Sequence, residues 1–397
     1  MPFDYLCIYS GSVQRVKADL AALICSGYNV DMIFPSRINH PRQDHSSGLT
    51  LVTYPNIQRA MFLPEKIRLL FDMYTQMYNP FFRSALRKRC EKYSIIFAHS
   101  PWSFVASAKI VKRKIPLVYV AHDYEYGLIK QATCNPLIHK FTHYVEKYAC
   151  RKASKILCVS ERDMKDLERT YEIPPAKLAM LPNTVDTDFL SQTHTLYDKV
   201  VERQKLGLDP SSWLLLFHGR MDYRPNLNAL KFILNELVPA LRELGGNIKL
   251  MIVGARIARW CFDDTNEIVS FYSDVPDMRR FLSIADAVIV PLSIGGGTRI
   301  KILESFASKV PVISTAKGAE GIDCQNGRHI LIAERDADDF INKIKVLAES
   351  QSLRSKLISN AYDLVVQKYS IPAASRRLHE VIIEAEGQTR QTRDVHA

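Results

Sequence analysis

The stretch AVIVPLSIGGGTRIKILESFASKVPVIST, residues 287–315, decides the fold. An apolar strand ends at Leu292, three glycines allow a tight turn, a helix is predicted from near Thr298, and a second apolar strand follows at 310–316. Strands that are apolar throughout are typical of parallel sheets covered on both faces, and a strand, a helix and a strand in succession predict a right-handed crossover. The segment therefore predicts a doubly wound α/β architecture.

The same pattern occurs twice along the chain. One set of short apolar runs lies before residue 186 and a second set lies between 213 and 334, with helix-compatible segments between the runs. A length of 397 residues fits two such domains. We expect an N-terminal Rossmann-like domain at 1–190 and a C-terminal one at 191–371, joined by the polar stretch 186–212. Ligands of such sheets bind beyond the carboxyl ends of the strands, so the two domains are expected to face each other across a cleft.

Beyond residue 335 the pattern is helical only. We expect the last helix, 372–388, to pack back on the N-terminal domain. Residues 387–397 have no large apolar content, and the tail 389–397 is expected to be frayed.

Composition excludes several classes of protein. Hydrophobic residues make up 47% and charged residues 24% of the chain, which excludes a disordered or fibrous protein. No run of 18 apolar residues occurs, the N-terminus does not read as a signal peptide, and the eight cysteines are scattered without a CxxC pair. These features predict a cytoplasmic location.

The net charge of +11 is unevenly distributed. Residues 1–190 hold a net charge of +9 and residues 191–397 hold +2. A basic first half predicts an anionic partner on that side: a membrane surface, a phosphorylated acceptor or nucleic acid. No nucleic-acid-binding motif accompanies the charge, so nucleic acid is not expected.

The glycine-rich segment has the features of an anion site. Gly295, Gly296 and Gly297 precede a predicted helix start, where backbone N–H groups and the helix dipole favour an anion. Arg299 and Lys301 add full positive charges in the expected first turn, and Glu304 lies about one turn later, where a carboxylate would accept hydrogen bonds from sugar hydroxyls. The alternative is an ordinary crossover with a solvated basic turn.

This segment resembles the donor site of retaining glycosyltransferases of family four, the group 1 glycosyl transferases, in their glycine-rich branch. Members of the family carry two glutamates before an A-x-G-x-P-V-V run; Glu304 matches the second glutamate, and Gly296 stands at the position of the first. The resemblance implies a GT-B fold, with two Rossmann-like domains, and a donor sugar held by Gly295, Gly296, Gly297, Thr298 and Glu304.

The resemblance extends along nearly the whole chain. FHGRMDYRPN (217–226) resembles the family's first strand of the C-terminal domain, and Arg220 matches its diphosphate-binding arginine. The lysine expected five residues later is Pro225 here, so Arg299 and Lys301 are expected to supply the missing charge. The resemblance implies that the nucleobase is held near Tyr272, Ser273 and Val275.

Two further matches lie in the first half. YSGSVQRVKADLAALICSGYNV (9–30) resembles the opening strand, glycine loop and helix of the family, which implies that Gly11 and Ser12 lie near the donor phosphates. His122 follows the predicted strand PLVYVAH, and the resemblance implies a histidine near the donor sugar there. His99 ends another predicted strand. A structural role is the alternative for both histidines.

Neither a metal nor a cofactor is expected. No His, Cys or Asp cluster has the spacing of a metal site, and the D-x-D run Asp186-Thr187-Asp188 has no strand leading into it. Cationic side chains are expected to replace a metal in stabilising the departing diphosphate.

Residues 59–93 combine seven aromatic residues with eight basic and three acidic ones. Such a face is typical of segments that lie on anionic membranes, and KIVKRK (109–114) adds a basic cluster nearby. The alternative is that the aromatics belong to the N-terminal core and the charges are solvated.

The sequence therefore predicts a metal-independent retaining glycosyltransferase. It would move a sugar from a nucleotide diphosphate donor to a lipid-linked or polysaccharide acceptor at the inner face of the plasma membrane. The alternatives are a catalytically silent module of the same fold that binds a membrane or a partner enzyme, and a nucleotide-sugar epimerase.

Overall fold

The computed structural model describes residues 11–36, 48–55, 76–111, 115–257 and 267–394. These residues form two compact units. The first contains the described parts of Asp19–Pro182 together with the C-terminal segment from Ala374, and the second contains residues 11–18 and the described parts of Asn183–Ala373. Every strand pair in both units is parallel, which confirms the predicted α/β class.

The first unit holds two parallel sheets. A pair of strands is followed by a four-stranded sheet in sequential order. Their bounds are β1 Val30–Ser36, β2 Leu49–Pro55, β3 Ile96–Ala98, β4 Leu117–Ala121, β5 Ile156–Cys158 and β6 Leu178–Met180. Every residue of β4 is buried, as expected of an inner strand with helices on its two faces. The opening strand that the family resemblance implies before Gly11 lies outside the described residues.

Most helices of the first unit begin at recognisable signals. Asn79, Ser100 and Asn135 each accept a hydrogen bond from the first helical turn, and a proline follows each of them. The helices are α1 Gly11–Cys25, α2 Pro80–Arg87, α3 Pro101–Ala108, α4 Glu125–Ala132, α5 Pro136–Lys152 and α6 Glu161–Tyr171, with 3₁₀ turns at Cys90–Lys92 and Pro175–Lys177. Residues 11–18 of α1 group with the second unit.

The second unit is built on one six-stranded sheet. Its strands are β7 Trp213–His218, β8 Ile248–Gly254, β9 Val269–Ser273, β10 Ala287–Val290, β11 Val312–Ser314 and β12 Leu331–Ile332. Their order is β12-β11-β10-β7-β8-β9, so the direction of winding reverses between β7 and β10. Parallel sheets bind ligands in the crevice at this reversal, which directs attention to the loops that follow β7 and β10.

The remaining helices belong to the second unit, except for most of the last one. Their bounds are α7 Thr187–Ser191, α8 Thr193–Leu196, α9 Lys199–Lys205, α10 Arg224–Phe232, α11 Val238–Leu244, α12 Arg279–Ile284, α13 Ile300–Ala307, α14 Ala316–Ala319, α15 Ala337–Glu349, α16 Gln351–Lys368 and α17 Ile371–Asp394, with a π-helical turn at Ile233–Leu237. None of the helices in the described ranges is long and apolar enough to cross a membrane.

The expected linker at 186–212 was wrong, since this stretch forms α7, α8 and α9 within the second unit. The buried guanidinium of Arg203 explains why this stretch is folded. It donates to the carbonyl of Ile284 and to the Asp286 carboxylate, at 2.6 and 2.7 Å. The predicted boundary at residue 190 also falls inside this unit, where the Val185 amide donates to the Tyr369 carbonyl.

The C-terminal helix differs from the expected frayed tail. Helix α17 continues to Asp394, because Gln, Arg and Thr are compatible with a helix and no proline interrupts it. From Ala374 onward it groups with the first unit, where Lys155 lies 2.5 Å from Glu384.

Candidate active site

The loops after β7 and β8 are held tightly together at the carboxyl edge of the six-stranded sheet. The Gly219 amide donates to the Val253 carbonyl at 3.0 Å, and the Met221 amide donates to Ala255 at 2.9 Å. A Cβ atom on Gly254 would lie 1.7 Å from the Gly219 carbonyl oxygen, so only glycine fits at that position. The loop carrying Arg220 therefore has a fixed backbone.

The glycine-rich loop after β10 is shaped by Arg299. Gly295 and Gly297 have φ values of +115° and +68°, which few residues other than glycine adopt. Helix α13 begins at Ile300, so Arg299 precedes the first turn rather than lying in it, in contrast to the prediction. Its buried guanidinium turns back and donates to the Gly297 carbonyl at 2.9 Å and to the Gly296 carbonyl. These carbonyls need donors, and Arg299 is long enough to reach them.

Lys301 bonds to Asn226, the residue after Pro225, where the family pattern expects a lysine. Its ammonium donates to the Asn226 side-chain oxygen at 2.8 Å and sits 4.6 Å from the centre of the Phe217 ring. A Cβ atom on Gly219 would lie 3.1 Å from the Lys301 Nζ atom, so the charge sits directly beside the β7 loop. Burial, together with the Arg299 charge, lowers the pKa of Lys301 to about 7.

Asn226 is a contributor that sequence reasoning missed. It is 6% exposed, and its amide nitrogen donates to the Arg220 carbonyl at 2.9 Å while its oxygen accepts from Lys301. Asn226 follows Pro225, the position at which the family pattern expects a lysine. Its place next to that position is the only sequence signal that could have identified it. Asn226 thereby joins the Arg220 loop to the Lys301 charge.

Arg220 is half-buried and paired with a neighbouring carboxylate. Its Nε atom lies 2.6 Å from an Asp222 oxygen, and the other oxygen of Asp222 lies 2.8 Å from Arg256. Arg256 follows β8 and has a left-handed φ of +59°. Asp222 and Arg256 were not expected from the sequence, and the ion pairs set the direction of the Arg220 guanidinium.

Glu304 is buried on α13 beside the end of β7. Its carboxylate lies 4.0 Å from the Nδ1 atom of His218, and the two residues are 8% and 1% exposed. Burial, with the nearby Lys301 charge, lowers the pKa of His218 to about 3, so this imidazole is neutral at physiological pH. Glu304 therefore lies next to Lys301 and a neutral histidine.

The residues expected near the nucleobase lie at the end of β9 and just after it. The Tyr272 ring packs 5.0 Å from Phe281, Val275 packs against the core, and Ser273 is exposed and donates to Asp274. The amide of Asp274 donates to the Gly254 carbonyl at 2.9 Å, which ties this loop to the one after β8. Backbone groups of the segment thus lie beside the Arg220 loop.

In the first unit, His122 pairs with a second histidine. Its Nε2 atom lies 3.2 Å from Nδ1 of His99, and the same His99 nitrogen lies 4.0 Å from a carboxylate oxygen of the buried Asp19. His122 follows β4 and His99 follows β3, as predicted. Gly11, another predicted site residue, is the first residue of α1, and Ser12 follows it.

The backbone that follows His122 is fixed by a buried carboxylate that the sequence did not reveal. Glu146 on α5 is fully buried and accepts hydrogen bonds from the amides of Glu125 and Tyr126, at 3.0 and 2.9 Å, and from Tyr171 at 2.8 Å. Burial raises the pKa of Glu146 to about 7. A carboxylate at the start of α4 stabilises the helix and so orients the loop that carries His122.

Within the second unit, the structure thus brings together Arg220, Arg299, Lys301, Glu304 and the glycine loop. No group of three His, Cys, Asp or Glu residues in the described ranges is arranged to hold a metal ion.

Comparisons with known proteins give consistent matches over both halves. Residues 213–350 match the model of the glycosyl transferases group 1, and residues 10–189 match the model of glycosyltransferase family 4. A lipopolysaccharide 1,2-N-acetylglucosaminetransferase of Salmonella typhimurium is 28% identical over 54% of this chain, and the alignment spans only 59% of that protein.

A second relative is aligned over more of its length. The UDP-Gal:alpha-D-GlcNAc-diphosphoundecaprenol alpha-1,3-galactosyltransferase of Escherichia coli is 24% identical over 77% of this chain and 81% of its own. Among solved structures, sucrose-phosphate synthase from Thermosynechococcus elongatus superposes with a TM-score of 0.71 at 17% identity, covering 94% of this chain and 92% of its own. This likeness confirms the predicted GT-B fold.

Proposed function

Because the chain belongs to the group 1 glycosyl transferases of glycosyltransferase family 4, we propose that it is a retaining, metal-independent enzyme of glycan biosynthesis. It moves a sugar from a nucleotide diphosphate donor to a lipid-linked or polysaccharide acceptor. The E. coli relative is named for a UDP-sugar donor and a diphosphoundecaprenol-linked acceptor, which makes UDP-sugars the first donors to test.

The observation that carries this proposal is the group of cations on the two sides of the winding reversal of the six-stranded sheet. Arg220 lies in the loop after β7 and Lys301 lies at the start of α13, after β10. Asn226 bonds both the Arg220 backbone carbonyl and the Lys301 ammonium. Arg299 adds a third charge and shapes the glycine loop. Charge-assisted contacts to phosphate contribute about 1.5–3 kcal/mol each, so this cluster suits a departing diphosphate.

The chemistry then needs few protein groups. The acceptor hydroxyl attacks the anomeric carbon on the face from which the diphosphate leaves, and its proton passes to a phosphate oxygen of the leaving group. Lys301, Arg220 and Arg299 stabilise the negative charge that develops on that group, and catalysis rests on positioning and electrostatics. Glu304 orients the sugar hydroxyls, and His122 keeps the role toward the donor sugar that the family resemblance implies.

The first unit is proposed to contact an anionic membrane at its cytoplasmic face. Residues 59–75 of the aromatic and basic segment lie outside the described residues, but the rest presents Phe81, 48% exposed, and the exposed Arg87 and Lys88. Helix α5 adds Leu137 and Tyr144, 70% and 69% exposed. Exposed aromatic and aliphatic side chains among lysines and arginines are typical of surfaces that bind lipid.

Donor turnover tests the main proposal. A panel of UDP-, GDP- and ADP-sugars is screened by thermal shift, and the best binder is incubated with a lipid-linked acceptor while released nucleoside diphosphate is measured by mass spectrometry. We expect one donor to stabilise the protein and to release its diphosphate, with the anomeric configuration retained in the product. Binding without release would favour the silent module, and conversion of the sugar without acceptor would favour the epimerase.

Liposome co-sedimentation tests the membrane contact. Binding should rise with phosphatidylglycerol content and fall at high salt, because attraction to a charged leaflet is worth about 1 kcal/mol per basic residue. Changing Arg87, Lys88 and Arg89 together to Glu should weaken binding without changing thermal stability. Equal binding to neutral and anionic vesicles, or binding to neither, contradicts the proposal.

A further inference from the structure

A chain of buried hydrogen bonds in the second unit ends on the glycine-rich loop. The Arg15 guanidinium donates to the Asn183 side-chain oxygen at 3.2 Å, and the Asn183 amide nitrogen donates to the Thr298 carbonyl at 3.0 Å. Arg15 is fully buried, and Asn183 and Thr298 are 8% and 6% exposed. This series of hydrogen bonds therefore joins α1 to Thr298, the residue just before Arg299.

The burial of Arg15 is costly. Taking a guanidinium out of water carries a penalty of several kcal/mol, and apolar residues of similar size fill buried space at less cost. Asn183 accepts with its oxygen and donates with its nitrogen, so its amide can take only one orientation. A buried arginine that fixes one amide orientation indicates that the group at the far end of this series of hydrogen bonds must be held in one position.

That far end is a peptide group of the glycine loop. Side chains hold the carbonyls of three consecutive residues: Arg299 donates to Gly296 and Gly297, and Asn183 donates to Thr298. In a planar trans peptide the N–H of the next residue points opposite to the carbonyl. The N–H groups of Gly297, Thr298 and Arg299 are therefore all directed away from the side chains that hold the carbonyls, an arrangement that suits a bound anion.

We propose that Asn183, held by the buried Arg15, is a positioning residue of the donor site that fixes the Thr298 peptide so that the N–H of Arg299 faces the donor diphosphate. The inference rests on the proposed function, since it names the ligand of that site. Neither residue touches the ligand; both act through the loop. Glycine loses more backbone freedom on ordering than other residues do, so a loop with three glycines depends on such contacts.

The Asn183→Asp variant separates this role from a purely structural one. One carboxylate oxygen still accepts from Arg15, and this hydrogen bond becomes an ion pair. The other oxygen faces the Thr298 carbonyl, so a hydrogen bond there is replaced by repulsion. We expect the affinity for inorganic pyrophosphate, measured by calorimetry, to fall by about tenfold or more. We also expect amide hydrogen exchange to accelerate in peptides covering 293–299, and the melting temperature not to fall.

Two further variants complete the test. Arg15→Met removes the buried charge with little change in volume, which is often neutral or stabilising, yet it should weaken pyrophosphate binding because Asn183 loses its orientation. Asn360→Asp is the matched control. The half-buried Asn360 on α16 donates its amide to the Arg328 carbonyl at 3.1 Å, and the loss of this hydrogen bond should change neither binding nor exchange at 293–299.

The outcomes are distinguishable. Wild-type affinity and wild-type exchange at 293–299 in Asn183→Asp would overturn the inference, as would a lowered melting temperature with exchange raised evenly across the second unit. Wild-type protein that binds neither pyrophosphate nor any nucleotide sugar would overturn the proposed function. The exchange measurement needs no ligand and would still decide whether Asn183 holds the loop.

Discussion

Replacing Lys301 with methionine should produce two effects of opposite sign. The variant keeps the length of the side chain and its contact with the Phe217 ring but removes the ammonium that donates to Asn226. One charge-assisted contact to phosphate is worth about 1.5–3 kcal/mol, so pyrophosphate should bind about 10- to 150-fold more weakly. The ligand-free variant should melt at a higher temperature at pH 7, because a buried charge with a lowered pKa is destabilising.

The pH dependence follows from the lowered pKa. In the ligand-free protein Lys301 loses its proton above about pH 7, whereas its ordinary pKa is 10.5, and a bound anion restores the proton. Wild-type affinity should therefore decline by up to about tenfold for each pH unit above 7, relative to Lys301→Met. Titration of pyrophosphate itself cancels in this comparison. Between pH 7 and 10.5 the unfolded chain binds more protons, so the wild-type free energy of unfolding rises with pH, and the variant should lack this rise.

Isothermal calorimetry from pH 6 to 9 and thermal unfolding of the ligand-free proteins measure both effects. Lys231→Met, at an exposed lysine on α10, is the matched control and should leave binding and its pH dependence unchanged. The reasoning is refuted if Lys301→Met binds pyrophosphate as tightly as wild type and with the same pH dependence.

Three further substitutions test other parts of the site. Glu304→Gln keeps an acceptor oxygen and should retain partial turnover, while Glu304→Ala should lose most donor affinity in calorimetry; normal binding by both would make Glu304 a helix residue only. Gly254→Ala places a Cβ atom against a backbone oxygen and should lower the urea-derived free energy of unfolding by about 3 kcal/mol or more, whereas Gly387→Ala, on an open helix surface, should raise it slightly. His99→Leu should lower kcat more than His99→Asn, because only Asn offers His122 a hydrogen-bond donor; equal values would remove His99 from the site.

The strands of the second unit were predictable because their residues are apolar on both faces. β7, β8 and β10 fall within the runs read from the sequence. The predicted Arg220 follows β7, and the predicted Gly295 and Lys301 follow β10. A parallel sheet brings the carboxyl ends of its strands to one edge whatever their distance along the chain. The pattern of strands, with the family resemblance that named Arg220, therefore placed these predicted residues at one edge of the sheet.

The hydrogen-bond partners of these residues were not predictable. Asn183 and Thr298 lie 115 residues apart, and Glu146 meets the start of α4 from another helix. Neither spacing nor periodicity encodes such pairs, because each depends on how two elements pack. The short helices α7 to α9 escaped prediction for the same reason: their order depends on buried contacts of Arg203 with residues about 80 positions away.

The path of helix α17 has a consequence for the order in which the protein folds. The first unit is completed by residues from Ala374 onward, where Ser26 meets Ser375, Tyr28 meets His379 and Lys155 meets Glu384. On the ribosome, where about 5–20 residues are added per second, these residues emerge only after the second unit. The first unit therefore stays incomplete while the second unit is translated and begins to fold. A nonsense mutation near residue 374 would therefore damage the half of the protein that was made first, leaving the sheet that was made last with its full complement of strands.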